Sequence, residues 1–216
     1  MERLSIKGGT FPPQNVPPQN DAIEVVIVNA AKVSRAYFKD QFDPNKTVAP
    51  TCWSVDTQRP DQSVPEHQRQ SNRCMDCPQN VRGSAGQGRA CRFSQRIAVV
   101  FQDDLEKIYQ LQLPATSIFG KTVRGQMPLQ EYARHLSKNN TLCASVITKI
   151  YFDSSSPVPK LFFKPVGLLN KEQLEIVEGM IDHPDTHQAI TSEVISSATS
   201  SPFDSVDGYV HKPNHS

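Results

Sequence analysis

The feature that most constrains this chain is a block of cysteines near its middle. Four of the five cysteines, Cys52, Cys74, Cys77 and Cys91, fall within 40 residues, and the central pair forms a Cys-x-x-Cys motif. Such a motif places two thiolates on one metal ion without strain, and the other two ligands can come from distant positions. The cysteine block (residues 52–91) therefore predicts a structural zinc site with all four cysteines as ligands.

Disulfides and an iron–sulfur cluster are the alternatives to zinc for the cysteine block. We disfavour disulfides because the cysteine count is odd and the sequence does not begin with a signal-peptide pattern. An iron–sulfur cluster also takes four cysteines, but this spacing matches none of the familiar cluster motifs. His67 lies inside the block and is an alternative ligand, although a solvated loop histidine is the simpler interpretation.

We expect the metal to be structural rather than catalytic, because four thiolates leave no open coordination position. The His-x-Glu motif of zinc deaminases is absent, and a proline follows Cys77 instead of preceding the cysteine pair. The His-Glu-x-x-His motif of metalloproteases is absent as well. No nucleophile–base pair, phosphate loop or carboxylate pair has a distinctive spacing. The sequence thus predicts a protein that is not an enzyme.

The same segment concentrates positive charge. Residues 50–96 hold seven arginines and no lysine against four acidic residues, which gives +3 in a chain whose formal total is +1. The planar guanidinium suits phosphate contact and base stacking, and Gly83, Gly86 and Gly88 let backbone amides approach an anion. The alternative is that the arginines keep the segment soluble and the glycines only turn the chain.

Composition predicts a modest core with irregular extensions, since hydrophobic residues make up 37% of a chain with 17 prolines. No apolar run is long enough for a membrane span, so we expect no membrane partner. We predict an N-terminal strand and a proline-rich linker over residues 1–20, and a core domain over 21–183 with the zinc-binding insertion at about 50–95. A disordered acidic tail is expected over 184–216.

Alternating and β-branched segments predict five or six strands. These are a bent strand over 23–39, a hairpin over 96–113 and a hairpin over 144–166. Apolar spacing predicts a short helix over 127–136 and a second helix capped by Asn170 with Gln173. We expect a mostly β (α+β) fold, in the form of a small antiparallel OB-like barrel or curled sheet with an insertion that zinc staples through four cysteines.

Several motifs resemble a family of tailed-phage proteins. They are Cys-Trp-Ser-x-Asp from Cys52, Cys-x-x-Cys-Pro-Gln-Asn from Cys74, Gly83-Ser84, and Gly-Arg-Ala-Cys ending at Cys91. The likeness covers roughly residues 45–170, and it implies a phage origin and the host cytoplasm without supplying a mechanism. A looser resemblance is to zinc-containing phage single-stranded-DNA-binding proteins, which pair an OB fold with a metal subdomain and an acidic tail. This chain departs from them in its all-cysteine ligands and less acidic tail.

Together these features predict a single-stranded-DNA-binding protein of phage replication or recombination. Its DNA-binding side chains would be arginines and lysines for phosphates, and aromatic rings for bases, although core packing is the alternative role of each ring. The candidates are Arg73, Arg82, Arg89, Arg92, Lys121 and Arg124 for phosphates, and Trp53, Phe93 and Phe119 for bases.

A competing hypothesis is an adaptor or inhibitor that presents the cysteine block to a host protein. In that case the arginines would be a solvated surface and nucleic acid would be irrelevant. Contacts with phage replication proteins and formation of a homo-oligomer are compatible with both hypotheses.

Overall fold

The computed structural model describes residues 2–6, 11, 21–39 and 48–191, and most of the regular structure within them is β-sheet. The strands are β1 (Glu2–Leu4), β2 (Ala22–Ala30), β3 (Ser34–Tyr37), β4 (Cys52–Ser54), β5 (Cys91–Phe101), β6 (Asp104–Pro114), β7 (Val146–Phe152) and β8 (Leu161–Leu168). The helices are α1 (Ala115–Ile118), α2 (Leu129–Lys138), α3 (Lys171–Ile181) and α4 (Pro184–Ile190). The proline-rich part of the predicted linker lies outside the described residues.

All eight strands belong to one sheet, in the order β1-β6-β5-β2-β7-β8, with β3 paired to β5 and β4 to β3. Every pair is antiparallel except β1 with β6, so the sheet is mixed. This confirms the mostly β, α+β prediction. The described strands form an open sheet with β1 and β8 at its edges, and do not close into a barrel.

Both predicted hairpins are confirmed. The β5–β6 hairpin turns between Phe101 and Asp104, and the β7–β8 hairpin pairs Phe152 with Leu161. The predicted bent strand is two strands, because the chain leaves β2 after Ala30 and resumes as β3 at Ser34 along the same edge of β5. Strand β4 was not predicted, since three residues in a polar segment carry no readable alternation.

One face of the sheet, called the α2 face, holds the larger core. Alternate residues of the central strands, such as Ile97, Val99 and Leu111, pack there against Ile118 of α1 and Tyr132 of α2. The Tyr132 hydroxyl forms a buried hydrogen bond of 2.7 Å with Thr148 of β7. The helix predicted over 127–136 is therefore confirmed as α2, and its apolar stripe is buried as expected.

The opposite face, called the α3 face, is covered only in part. Val26, Ala98 and Val100 pack there against Val177 of α3 and Ala189 of α4. The predicted capping box of α3 is present: the Asn170 side-chain oxygen accepts from the Gln173 backbone N–H, and the Gln173 side-chain oxygen accepts from the Asn170 backbone N–H. Beyond these helices, the end of the sheet made of β4, β3, β5, β6 and β1 leaves this face open.

The predicted disordered tail is wrong at its start. Residues 184–190 form α4, which is capped by the His183 side chain and docks on the α3 face. Two hydrogen bonds hold α4 in place. The Thr186 hydroxyl donates to the Met180 carbonyl (2.6 Å), and the side-chain amide of Gln110 donates to the Ala189 carbonyl (2.5 Å). Residues 192–216 lie outside the described residues. None of the helices in the described ranges is long and apolar enough to cross a membrane.

Candidate metal centre and arginine groove

A three-stranded ribbon of β4, β3 and β5 carries the candidate site on both of its faces. Tyr37 of β3 lies between Cys52 and Cys91 in register, and Ala36 lies between Trp53 and Arg92. Side chains of residues paired directly across antiparallel strands lie on the same face of the sheet, whereas successive side chains along one strand lie on opposite faces. The two cysteines therefore lie on the α2 face, and Trp53 and Arg92 lie on the α3 face.

The other two cysteines come from the long loop between β4 and β5. Cys74 begins one turn of 3-10 helix and Cys77 leads into the next, and the Cys77 amide donates to the Cys74 carbonyl at 3.4 Å. The Cys74 amide donates to the Gln58 carbonyl at 2.9 Å, which ties this turn back to the loop after β4. These turns give the Cys-x-x-Cys pair its compact shape.

All four predicted ligands line one small cavity. Cys52, Cys74, Cys77 and Cys91 are each buried, and all are free thiols. The cavity has a volume of about 20 Å³, which is close to the space of a single water molecule. This volume is sufficient for a single ion. His67 is exposed and does not line the cavity.

Burial raises the pKa of two of the four thiols, Cys91 and Cys52. It raises the pKa of Cys91 to about 11, against the charge of Arg35, which lowers it. Burial also raises the pKa of Cys52, opposed by a hydrogen bond from the Gln70 backbone. A metal ion would have to displace these protons, so its binding would be pH-dependent. Within the described ranges, no set of three or more His, Cys, Asp or Glu side chains meets the geometry of a metal site.

A buried arginine accompanies the thiols. Arg35 is only 3% exposed, and its guanidinium lies 4.2 Å from the ring centroid of Phe93. It donates through Nη1 to the Cys74 carbonyl at 3.4 Å and through Nη2 to the side-chain oxygen of Asn80. Its Nε–H has no acceptor among the described residues. Arg35 therefore connects β3 to both turns of the cysteine block.

The open part of the α3 face forms a groove of about 720 Å³, which we call the arginine groove. Arg92, Ser94 and Arg96 are every second residue of β5, so all three lie on this face. Arg96 pairs in register with Gln112 of β6. In the part of the chain that the structure describes, no aspartate, glutamate or lysine lines the groove. Side chains at its walls and floor include Arg3, Phe38, Trp53, Arg92, Arg96 and Gln112.

Two donors in the walls of the groove lack acceptors. The Nε atom of Arg96 and the indole nitrogen of Trp53 are buried, and neither has a hydrogen-bond partner among the described residues. Burial, and to a smaller extent the charge of Arg3, lowers the pKa of Arg96. A nearby anion would favour the charged form of Arg96 and offset both effects.

The structure brings together only part of the predicted nucleic-acid set. Trp53, Arg92 and Phe93 line the arginine groove, and Phe119 meets the Phe93 ring edge-on at 5.4 Å between centroids. Arg89 lines a smaller adjoining cleft of about 370 Å³, and its Nε donates to the Asn80 carbonyl at 2.7 Å. The remaining four are exposed and line neither cavity: Arg73, Arg82, Lys121 and Arg124.

The glycine loop does not present its amides as expected from the sequence. The Gly83 amide donates to the Gly88 carbonyl at 2.7 Å, and the Gly88 amide donates to the Ala85 carbonyl at 3.0 Å. Gly83 and Gly86 have positive φ angles of 95° and 60°, so glycine is needed there for the turn itself. For Gly83 and Gly88, the alternative role of turning the chain fits the observed hydrogen bonds better.

Sequence reasoning missed several residues of the groove, above all Arg3 and Arg96. For Arg96 a signal was present, because Arg92, Ser94 and Arg96 repeat with the period of two that marks one face of a strand. For Arg3 there was none, since it reaches the groove through the parallel pairing of β1 with β6. Comparisons with family models, curated proteins and solved structures gave no match.

Proposed function

We propose that the protein binds single-stranded DNA in the arginine groove and contributes no chemistry of its own. The observation that carries this proposal is a groove of about 720 Å³ whose described lining holds arginines and aromatic rings but no acidic residue. A groove that combines positive charge with stacking surfaces follows the backbone of a single strand and accepts any base. We propose that this binding serves phage DNA replication or recombination in the host cytoplasm.

Side chains with complementary roles surround the groove. Arg92 is exposed on β5, Arg96 is half-buried further along the same strand, and Arg3 is exposed on β1. These guanidinium groups can each contact a phosphate oxygen. Trp53 and Phe38 offer ring surfaces for bases, and Phe38 is 43% exposed. An open sheet face is sufficient for this arrangement, so an OB-like barrel is an analogy for the mode of binding and not a requirement.

The test is fluorescence anisotropy of labelled single- and double-stranded oligonucleotides across a salt series. Single strands should bind more tightly, and the log of the affinity should fall linearly with the log of the salt concentration. Arg92→Ala and Arg96→Ala should each lower the slope by about 0.7. Arg82→Ala is the matched control, because Arg82 is an exposed arginine of the cysteine block that does not line the groove.

If Arg82→Ala lowers the salt slope and the groove variants do not, the DNA binds along the cysteine block and not in the arginine groove. Absence of binding to either form of DNA at low salt would contradict the proposal as a whole.

We also propose that the four cysteines bind one zinc ion that is structural. Its support is the shared cavity of four buried thiols, which has room for a single ion. Zinc would hold β4, β5 and the intervening loop together, a segment in which Val64 is one of few buried apolar side chains. Mass spectrometry of the native protein should find one zinc per chain, and Cys74→Ser should remove it. Iron with inorganic sulfide would instead indicate a cluster.

The adaptor hypothesis has one observation in its favour. Met75 and Val81, both in the cysteine block, expose 74% and 60% of their surfaces, and exposed apolar side chains are typical of protein-binding surfaces. If oligonucleotides do not bind, Met75→Ser and Val81→Ser should abolish the capture of a host protein that the wild-type chain achieves. Arg92→Ala, in the arginine groove, should leave that capture unchanged.

A further inference from the structure

The smaller cleft beside the arginine groove differs from the groove in its walls. It has a volume of about 370 Å³ and lies between β5, α1 and the β7–β8 hairpin, and we call it the Arg89 cleft. This volume is near the lower end of the range of ligand pockets, about 300–1,000 Å³. The described residues that line the cleft are mostly apolar and include no aspartate or glutamate. Among them are Arg89, Arg92, Phe93, Pro114, Val158 and Pro159.

The Arg89 cleft is continuous with the arginine groove. Arg92, Phe93 and Pro114 line both of them. At this end of the hairpin the final β5–β6 pair is Ser94 with Pro114, so β5 runs three residues beyond β6. The cleft lies along this part of β5, which β6 does not cover. A DNA strand with a phosphate on Arg92 can therefore place a neighbouring base in the cleft.

Internal contacts hold the walls of the cleft in place. The Arg35 guanidinium lies 4.2 Å from the Phe93 ring centroid, and the Phe119 ring meets Phe93 edge-on at 5.4 Å between centroids. The Thr116 hydroxyl donates to the Pro159 carbonyl at 3.3 Å, which ties α1 to the β7–β8 hairpin. A phosphate finds no partner on such apolar walls, whereas the flat face of an unstacked base packs on them.

Arg89 is placed to contact the edge of a base in the cleft. Its Nε–H donates to the Asn80 carbonyl at 2.7 Å, which anchors the side chain to the cysteine block. Among the described residues, its two terminal nitrogens have no hydrogen-bond or ion-pair partner. An arginine fork pairs with the O6 and N7 acceptors of guanine, and this is the commonest specific contact of proteins with bases. Adenine and thymine do not present two adjacent acceptors.

We propose that the Arg89 cleft receives one base of the bound strand and that Arg89 selects guanine over adenine and thymine at this position. The inference rests on the proposed binding of single-stranded DNA in the arginine groove. Arg92 holds the phosphate at the boundary, the apolar walls hold the ring, and Arg89 contacts its edge. Binding would then tolerate any sequence along the groove but prefer guanine at one point.

The experiment is fluorescence anisotropy with short thymine strands that carry one central guanine or one central adenine. Wild type should bind the guanine strand about 5- to 150-fold more tightly, which is the range for one bidentate base contact. Arg89→Ala and Arg89→Lys should both lose this preference, because lysine lacks the planar fork. The salt slope of Arg89→Ala should equal that of the wild type, because Arg89 contacts a base and not a phosphate.

Two further variants separate base selection from other effects. Arg82→Ala is the control and should keep the preference, because Arg82 is an exposed arginine of the cysteine block that does not line the cleft. Val158→Trp guards against a local disturbance of the loop around Arg89. Val158 is an exposed residue of the β7–β8 hairpin that lines the cleft, so a larger side chain there should fill the cleft and remove the preference.

Equal affinity of the wild type for the guanine and adenine strands would overturn the inference, while salt-dependent binding of both would leave the proposed DNA binding intact. A preference that survives in Arg89→Ala or in Val158→Trp would place base selection outside the cleft and overturn the inference as well. Absence of binding to either strand at low salt would contradict the proposed function itself, and this inference with it.

Discussion

At the scale of single residues, one step along the chain separates the thiol cavity from the arginine groove. Cys52 and Trp53 are neighbours in the three-residue strand β4, and their side chains lie on opposite faces of the sheet. Cys52 lines the thiol cavity and Trp53 lines the arginine groove. Any interaction that orders β4 at the thiol cavity therefore also orders the only tryptophan of the sequence.

Trp53→Ala should weaken binding of single-stranded DNA by about 1–3 kcal/mol, or roughly 5- to 150-fold, because one base loses its stacking surface. The measurement is fluorescence anisotropy at fixed salt. Trp53→Phe keeps an aromatic ring and should retain most of the affinity. In the wild type, the intrinsic fluorescence of Trp53 should be quenched when a single strand binds.

Equal losses for Trp53→Ala and Trp53→Phe would show that Trp53 acts through packing rather than stacking. The sequence left these two roles open, and only the structure favours the groove, because it places Trp53, Ala36 and Arg92 in one row on the α3 face.

Tyr132 gives a prediction about pH. Burial, opposed by the hydrogen bond with Thr148, raises the pKa of Tyr132 to about 12, whereas an unfolded tyrosine titrates near 10. The folded state therefore holds this proton more tightly, so the stabilisation is complete below pH 10 and is lost as the pH rises towards 12. Tyr132→Phe loses about 1 kcal/mol of hydrogen bonding but has no group to titrate.

At pH 8 the free energy of unfolding should thus be about 1 kcal/mol higher for the wild type than for Tyr132→Phe. Above pH 10 this advantage should shrink, because only the wild type has a tyrosine to titrate at this position. Urea denaturation across this range measures it. Other groups titrate equally in the two proteins and cancel in the comparison. A difference that stays constant up to pH 11 would contradict the assignment.

At the scale of elements, α4 shows how tertiary contacts override a weak sequence signal. Residues 184–190 have little apolar periodicity, so the sequence predicted disorder there. The helix forms because Ala189 is buried against the sheet, and because Gln110 of β6 donates to its last turn. Neither contact can be read before β6 and α4 are known to meet.

Ala189→Asp should lower the free energy of unfolding by about 3 kcal/mol or more, because it buries a carboxylate among apolar side chains. The matched control is Gln188→Asp, which adds the same group one residue earlier on the exposed side of α4. This control should change stability by less than about 0.5 kcal/mol. Chemical denaturation measures both, and similar effects of the two substitutions would indicate that α4 does not dock.

The elements with strong local patterns were predictable, and those defined by distant partners were not. The two hairpins, α2 and the capped α3 followed from period-two or period-3.6 spacing and from the Asn170–Gln173 capping box. The four cysteines followed from their clustering, since they do line one cavity. Long stretches of chain separate β3, β4 and β5, so the row that joins Trp53 to Arg92 through Ala36 could not be predicted from the sequence.

At the scale of the whole molecule, the sheet divides its two faces between different tasks. The α2 face holds the main core and the thiol cavity, whereas the α3 face is half covered by α3 and α4 and half open as the arginine groove. The central strand β5 contributes to both faces, with Ile97 and Val99 in the core and Arg92 and Arg96 in the groove. A ligand in the groove would therefore contact five strands at once.

Because that ligand would contact only the folded sheet, single-stranded DNA should raise the melting temperature of the whole protein. At a free concentration of about 100 times Kd, the added stability is about 2.7 kcal/mol. For a chain of this size that corresponds to a shift of roughly 5–10 °C in differential scanning calorimetry. The shift should vanish at high salt, and it should be smaller for Arg96→Ala at the same DNA concentration, because fewer phosphates are neutralised. An equal shift with duplex DNA would mean that the groove does not select single strands, and a shift that persists at high salt would mean that binding is not carried by the arginines.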